Sequence, residues 1–235
     1  MTTVGIAGDP NLEAVKSAFA ALGDLRERVV LVGGCATGLL LTSARSELIR
    51  PTRDVDLVIE VVTRKDYRRT EQALRSRGFI NDQSPEAPIC RWRFEEIIVD
   101  LMPMEPNVLG FGNSWYPHAV ALAEKVLLPD GQPLRLISAP VFLVTKFEAF
   151  RDRGRSDLLG SHDLEDIMTV IDGRAELERE IAAAPGDIQA AIREQLTELL
   201  GDPRLLEAMA GFLPGDAASQ ARLPDLLARL NRLAK

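Results

Sequence analysis

The order of apolar and polar positions in the first sixty residues predicts one helix and two strands around a glycine turn. Apolar side chains recur at helical spacing over residues 11–28. The β-branched run at residues 29–32 ends in two glycines, which indicates a buried strand and a tight turn. Residues 35–43 are small and apolar and can return as a helix, and strong alternation over residues 54–62 predicts the next strand.

The middle of the chain continues this mixture of helices and strands. Thr63 suits the N-cap of a helix that runs to Arg77, and Gly78 suits the position just after its end. Residues 89–94 and 97–102 predict two strands around a polar turn. Shorter elements complete this part of the chain: strands at residues 126–128 and 134–137 on either side of a Pro-Asp-Gly turn, and a helix at residues 139–151.

The last third of the chain shows helical patterns alone. They recur at residues 164–171, 175–184, 188–200, 204–212 and 223–233. The sequence therefore predicts an α+β fold, with a mixed β-sheet flanked by helices and then a helical C-terminal domain. We expect an α/β domain over residues 1–137, and a helical domain over residues 138–235 that packs on it.

Composition narrows the class of protein. Of the 235 residues, 46% are hydrophobic and 27% charged, which excludes disorder as the main state. Two cysteines, Cys35 and Cys90, make no disulfide framework, and no apolar run reaches the roughly 18 residues of a membrane span. We expect a cytoplasmic protein without membrane contact. The sequence does not predict its oligomeric state. The net charge of −7 argues against a bulk nucleic-acid coat protein but leaves room for a local basic groove.

Three aspartates stand in otherwise apolar strands. Asp54 and Asp56 are two residues apart, so their side chains share one face about 7 Å apart. Asp100 lies in the run Ile-Ile-Val-Asp-Leu-Met, where a carboxylate is costly to bury unless it is paired or bound to metal. For an isolated D-x-D, a solvated strand face is the more common explanation. Oxygen ligands on rigid strands also suit Mg²⁺.

The surroundings of these aspartates favour the metal interpretation. Gly33 and Gly34 end a strand upstream of Asp54, and such a pair lets backbone N–H groups approach a phosphate. A strand, a Gly pair, a helix, D-x-D on the next strand and a later Asp together resemble the minimal nucleotidyltransferase pattern of the DNA polymerase β superfamily. The pattern resembles more closely the AbiEii-type nucleotidyltransferases, which include toxins of type IV toxin–antitoxin systems.

The resemblance implies a set of roles for residues of this chain. Asp54, Asp56 and Asp100 would hold two divalent ions, Mg²⁺ or alternatively Mn²⁺. The triphosphate of an NTP would be bound by the residues around them: Gly33, Gly34, Thr52, Arg53 and Lys146. The chain departs from the family in two places, because 19 residues separate Gly34 from Asp54 and Cys35 replaces the usual small polar residue. Residues 46–50 look like the insertion.

A second segment carries the resemblance further, so that it covers residues 29–172. Thr145-Lys146 begins a T-K-x-x-A helix, and Asp163 lies in an acidic segment like that of the family. The resemblance places Lys146 on the nucleotide phosphates and gives Asp163 the role of orienting Lys146 or the acceptor. A helical lysine is more often solvated. The chain has only 5 lysines against 23 arginines, however, so Lys146 between apolar neighbours is less readily explained as an ordinary surface residue.

The resemblance implies transfer of NMP from NTP to an acceptor, either RNA such as tRNA or a protein, by a toxin-like enzyme that has a cognate antitoxin. Two alternatives stay open. One is a small-molecule nucleotidyltransferase of the aminoglycoside type. The other is a non-catalytic nucleotide-binding or antitoxin partner. Basic clusters could guide RNA or be solvated faces: Arg64, Lys65, Arg68, Arg69, Arg75 and Arg77 on one helix, and Arg151, Arg153 and Arg155 after another. Trp92 and Trp115 are more typical of a core than of base stacking.

Overall fold

The computed structural model describes residues 1–43, 47, 49–153 and 157–235, and within them the strands form one mixed sheet. Its spatial order is β1-β7-β8-β2-β3-β6-β5-β4. In the centre, β2 runs antiparallel to β3, and β3 runs parallel to β6. The strands are β1 (Thr2–Thr3), β2 (Val29–Leu31), β3 (Asp54–Ile59), β4 (Ile80–Asn81), β5 (Arg91–Phe94), β6 (Ile97–Pro103), β7 (Glu124–Leu127) and β8 (Pro133–Leu136).

Helices flank this sheet. Within the described residues, every helix or strand that comes after β8 in the sequence is a helix. The α-helices are α1 (Leu12–Leu22), α2 (Gly33–Leu40), α3 (Arg64–Ser76), α4 (Tyr116–Ala121), α5 (Ala139–Asp152), α6 (His162–Gly173), α7 (Leu177–Ala183), α8 (Gly186–Leu200), α9 (Pro203–Ala208), α10 (Ala217–Gln220) and α11 (Leu223–Leu233). Mixed sheet, flanking helices and a helical C-terminal part confirm the predicted α+β fold.

Local chemistry explains where individual elements begin and end. Thr63 caps α3 by accepting a hydrogen bond from the backbone N–H of Asp66, and Gly78 follows the helix with a φ of 89°. The helix predicted over residues 11–28 stops being α-helical at Gly23, whose φ is 54°, and continues as a 3₁₀ turn. The two-residue strands β1 and β4 and the short α10 were not predicted.

The end of α2 is tied to the end of α6. The carbonyl of Gly173 accepts hydrogen bonds from the backbone N–H groups of Thr42 and Ser43, each at 3.1 Å, and from the Ser43 hydroxyl at 3.0 Å. Arg174 adds a hydrogen bond of 2.6 Å to the carbonyl of Leu40. The strand-and-helix part is thereby joined to the helical part by hydrogen bonds as well as by packing.

One hydrophobic core runs through both parts of the chain. It includes strand residues such as Leu57 and Leu101 and helix residues such as Phe142 and Ile167, each almost completely buried. Helix α5 connects the two parts, since it packs against α6, α7 and α8 and also against α2 and α4. The division into domains at residues 137 and 138 falls between β8 and α5 and stays a prediction. Within the described ranges, no helix has both the length and the apolar character to cross a bilayer.

Candidate active site

Strand pairing brings the three predicted aspartates to one face of the sheet. Asp56 on β3 lies directly opposite Asp100 on β6 in the parallel register, and Asp54 is two residues before Asp56. Residues that pair across strands share a face, as do alternate residues of one strand. Asp100 is buried, with 7% of its surface exposed, whereas Asp54 and Asp56 are half-buried. Three carboxylates therefore converge where β3 and β6 meet.

Gly33 and Asp56 are in direct contact. A Cβ built on Gly33 would lie 2.0 Å from Oδ2 of Asp56, and the backbone of Gly33 has a φ of 64°. Both observations require glycine here, because any side chain would displace the carboxylate and strain the backbone. The sequence suggested that Gly33 leaves room for a phosphate. In the structure, the space beside it holds the Asp56 carboxylate.

The Asp56 carboxyl group has an unusual affinity for its proton. Burial, followed by the negative charge of Asp54, raises its pKa from 3.8 to about 7, against the opposing charge of Lys146. The negative charge of the Asp56 carboxylate is therefore unfavourable in this position. A cation bound in the cleft would offset it.

Arg91, a residue that the sequence analysis did not single out, lies between the other two carboxylates. Its Nε and Nη2 donate to Oδ1 and Oδ2 of Asp100 at 2.8 and 2.6 Å, and Nη2 also donates to Oδ2 of Asp54 at 2.8 Å. The hydrogen bond with Asp100 is the main cause that raises the pKa of Arg91 above its ordinary value. A permanent positive charge thus bridges Asp54 and Asp100.

Lys146 on α5 lies in a second group of charges beside the aspartates. Its Nζ is 2.6 Å from Oδ2 of Asp166 and 3.1 Å from Oδ1 of Asp163. Burial lowers the pKa of Lys146, but Asp166 and Asp163 outweigh that effect and the net shift is upward. The second oxygen of Asp163 accepts from Arg153 at 2.6 Å. Lys146 is therefore a charged residue in a fixed position.

The remaining residues that were predicted to bind nucleotide are Gly34, Thr52 and Arg53. Thr52 donates its hydroxyl to Oδ1 of Asp54 at 3.1 Å, and its backbone N–H donates to the side chain of Asn11. A Cβ on Gly34 would meet Arg50 and Thr52 at 3.2 and 3.5 Å. Arg53 is exposed. Neither Thr52, Arg53 nor Gly34 lines the pocket that Asp56 faces, so their assignment to nucleotide binding stays a prediction.

A single cleft joins the two charged groups. It has a volume of about 360 Å³ and is lined by residues of six elements and the loops between them, including Gly33, Asp56, Asp100, Lys146 and Asp163. Arg153 and Asp152 at the end of α5 line the same cleft, as do Phe111 and Gly112. The wall around Phe111 is held to α5 because Asn113 donates to the carbonyl of Thr145 and Ser114 binds the carboxylate of Glu148.

The donor set fits a divalent cation in part. Oxygen donors are the ligands that Mg²⁺ and Mn²⁺ prefer, and Asp56 faces the cleft with its charge unbalanced. Asp54 and Asp100 have suitable chemistry, but Arg91 holds them. As the side chains stand, the described residues contain no group of three or more His, Cys, Asp or Glu that could hold a metal ion.

Other residues that the sequence suggested for base stacking, thiol chemistry or RNA binding have packing or pairing roles where the structure describes them. Trp92 is completely buried under the guanidinium of Arg75, and Trp115 packs against His118. Cys35 is buried and its Sγ donates to the carbonyl of Asp54. Of the second basic cluster, Arg153 pairs with Asp163, and Arg155 lies outside the described residues. The same holds for residues 46 and 48 of the predicted insertion.

Comparison with known proteins gives similarity of the chain path only. No protein-family model matches the chain, and no curated protein matches it. The solution structure of the antibiotic-resistance factor ANT(2″)-Ia is 17% identical, with 81% of this chain and 95% of that chain covered and a TM-score of 0.45. JHP933 from Helicobacter pylori is 12% identical over 95% and 91% of the chains, with a TM-score of 0.48. A candidate nucleotidyltransferase from H. pylori is 12% identical, with 95% of this chain and 92% of that chain covered and a TM-score of 0.45. At these values the likeness carries no conclusion about activity, which has to come from the cleft.

Proposed function

We propose that the protein is a metal-dependent nucleotidyltransferase, which moves NMP from an NTP to an acceptor. The observation that carries the proposal is the convergence of Gly33, Asp56, Asp100 and Lys146 on one cleft. These residues come from the start of α2, from two parallel strands and from the middle of α5. They are the residues that the resemblance to the nucleotidyltransferase pattern selects, and their separation in sequence makes their meeting in space informative.

The chain's own residues can bind and orient a triphosphate in this cleft. A bound Mg²⁺ or Mn²⁺ would polarise a phosphate oxygen and lower the barrier to displacement of pyrophosphate. Asp56 supplies the open carboxylate for that ion, while Gly33 lets this carboxylate lie against the backbone. Lys146, fixed by Asp163 and Asp166, supplies a positive charge at the cleft wall, where it can offset charge that develops on the phosphates.

For the acceptor we propose RNA such as tRNA, with a protein as the alternative, in an AbiEii-type and toxin-like role with a cognate antitoxin. The exposed guanidinium of Arg153 at the edge of the cleft supports a polyanionic acceptor. Arg153 is also bonded to Asp163, so an acceptor that bound it would lie next to the Lys146 group.

The experiment is transfer of label from each α-³²P NTP in the presence of Mg²⁺ and total tRNA. We expect label in tRNA with the wild-type chain and at least a hundredfold loss for Asp56→Asn, because the amide can neither carry the charge nor bind the ion as a carboxylate does. Asp24→Asn, an exposed aspartate outside the cleft, is the matched control and should retain wild-type transfer.

Each outcome of that assay has one meaning. Label in an added small molecule instead of tRNA would support the aminoglycoside-type alternative. Equal transfer by wild type and Asp56→Asn would show that the assigned site is wrong. Absence of transfer together with absence of NTP binding would leave the non-catalytic or antitoxin alternative.

A further inference from the structure

We propose that Arg91 is a permanent cation of the active site, which occupies Asp54 and Asp100 and leaves Asp56 as the protein ligand of a single divalent ion. This inference rests on the proposed function, and it changes the expected number of ions from two to one. It assigns to Arg91 the place that a second ion would take between Asp54 and Asp100.

The backbone keeps Arg91 beside Asp100. Arg91 on β5 and Asp100 on β6 are direct partners in the antiparallel ladder. Side chains of such partners leave the sheet on the same face with Cβ atoms about 5 Å apart. The guanidinium therefore reaches the carboxylate without any loop or mobile segment having to place it.

The oxygen atoms of two aspartates are already in use. Both oxygens of Asp100 accept from Arg91, which is the bidentate geometry that makes such pairs strong. Asp54 accepts from Arg91 with Oδ2 and from the Thr52 hydroxyl with Oδ1. A metal ion would therefore have to compete with the guanidinium for the lone pairs of both carboxylates.

Asp56 differs from its two neighbours in this respect. In the part of the chain that the structure describes, no hydrogen bond or ion pair engages its carboxylate, which lines the cleft beside Gly33. Among the protein's own groups, the guanidinium offsets the charge of one of the three carboxylates, which leaves two negative charges for a divalent ion to offset.

The alternative is that Arg91 leaves the aspartates when nucleotide and metal bind. The two possibilities differ in the number of ions per bound nucleotide, which is measurable without turnover. We would titrate the full chain with Mn²⁺ in the presence of a saturating α,β-methylene NTP analogue. Free Mn²⁺ is read by electron paramagnetic resonance, and bound nucleotide is counted by equilibrium dialysis with a radiolabelled analogue.

We expect one Mn²⁺ per bound nucleotide for the wild type and two for Arg91→Met, which removes the charge and keeps an apolar stem. Arg91→Lys keeps the charge and should remain at one. Arg93→Met is the matched control, since this arginine of the same strand pairs with Asp82, and it should also give one.

The outcomes separate the inference from the proposed function. A wild-type count of two would overturn the role of Arg91 and leave nucleotidyl transfer standing, whatever the variants do. A count of one in both the wild type and a folded Arg91→Met chain would also overturn it, because something else would then exclude the second ion. Failure of the wild-type chain to bind the analogue would count against the proposed function itself.

Discussion

At the scale of single residues, the aspartates could be predicted and their counter-charge was missed. The D-x-D spacing gave the shared face of Asp54 and Asp56, because it depends only on the period of a strand. The partner of Asp100 depends on register. The sequence did contain that information, since a two-residue turn at Glu95 and Glu96 pairs Phe94 with Ile97 and hence Arg91 with Asp100. The contact between Thr52 and Asn11 could not be found in this way, because it joins segments that are distant in sequence.

The pKa of Asp56 makes a prediction about stability in metal-free protein. Its value of about 7 in the fold exceeds the ordinary 3.8, so the folded chain binds this proton more tightly than the unfolded chain. The stabilisation is complete below pH 4 and is lost as the pH rises to about 7. Asp56→Asn has no such loss, so its free energy of unfolding relative to wild type should increase by about 1–3 kcal/mol between pH 4 and pH 8.

Urea unfolding in EDTA at several pH values measures this difference. Asp24→Asn is again the control, and its difference from wild type should not vary with pH. A difference for Asp56→Asn that stays constant across this range would contradict the raised pKa.

At the scale of elements, strong local signals were sufficient for most helices. The helix α3 could be placed from the cap at Thr63 and the glycine at position 78, and α11 occupies residues 223–233 as predicted. The strands β1 and β4 have two residues each, and such short strands exist only because a distant partner pairs with them. No local pattern distinguishes them from loop.

The segment before β3 depends on Asn11 at the start of α1. Its Oδ1 accepts from the backbone N–H of Thr52 at 2.9 Å, and its Nδ2 donates to the carbonyl of Arg50 at 3.0 Å. We expect Asn11→Ala to lower the free energy of unfolding by about 1–3 kcal/mol, because it leaves these groups unpaired in a buried place.

The same variant should leave Mn²⁺ affinity in the presence of the NTP analogue unchanged, because Thr52 contacts Asp54 and not Asp56, the proposed ligand of the ion. Asn231→Ala, at an exposed asparagine of α11, is the control. A loss of Mn²⁺ affinity in Asn11→Ala would instead indicate that Asp54 takes part in binding the ion.

At the scale of the whole molecule, the order of a mixed part followed by a helical part could be predicted from the sequence. It did not show that one core joins them, because the buried face of α5 is nearly its entire circumference and carries no amphipathic period. Such a helix can be placed only when its neighbours are known.

The continuous core predicts a single unfolding transition. Phe142 on α5 is completely buried, so Phe142→Ala should cost about 3–5 kcal/mol. Far-ultraviolet circular dichroism and tryptophan fluorescence should shift together to lower urea concentration. Trp92 and Trp115 report on the sheet side, and the helical signal includes the C-terminal part. Two separate transitions would instead support independent domains on either side of residues 137 and 138.

The bond between the ends of α2 and α6 has a mechanical consequence. Gly33 at the start of α2 and Asp163 in the first turn of α6 line the cleft, and residues 42 and 43, just after α2, are hydrogen-bonded to the carbonyl of Gly173 at the end of α6. These hydrogen bonds, together with the packing of α2 on α6, restrict how far the two helices can move apart. We expect closure over a substrate to come instead from Phe111 on the cleft, which stands between Gly110 and Gly112 and before the anchored residues 113 and 114. The two glycines have φ values of 87° and 157°. The two helices form the less mobile side of the cleft, and Phe111, flanked by two glycines, is the part that can move.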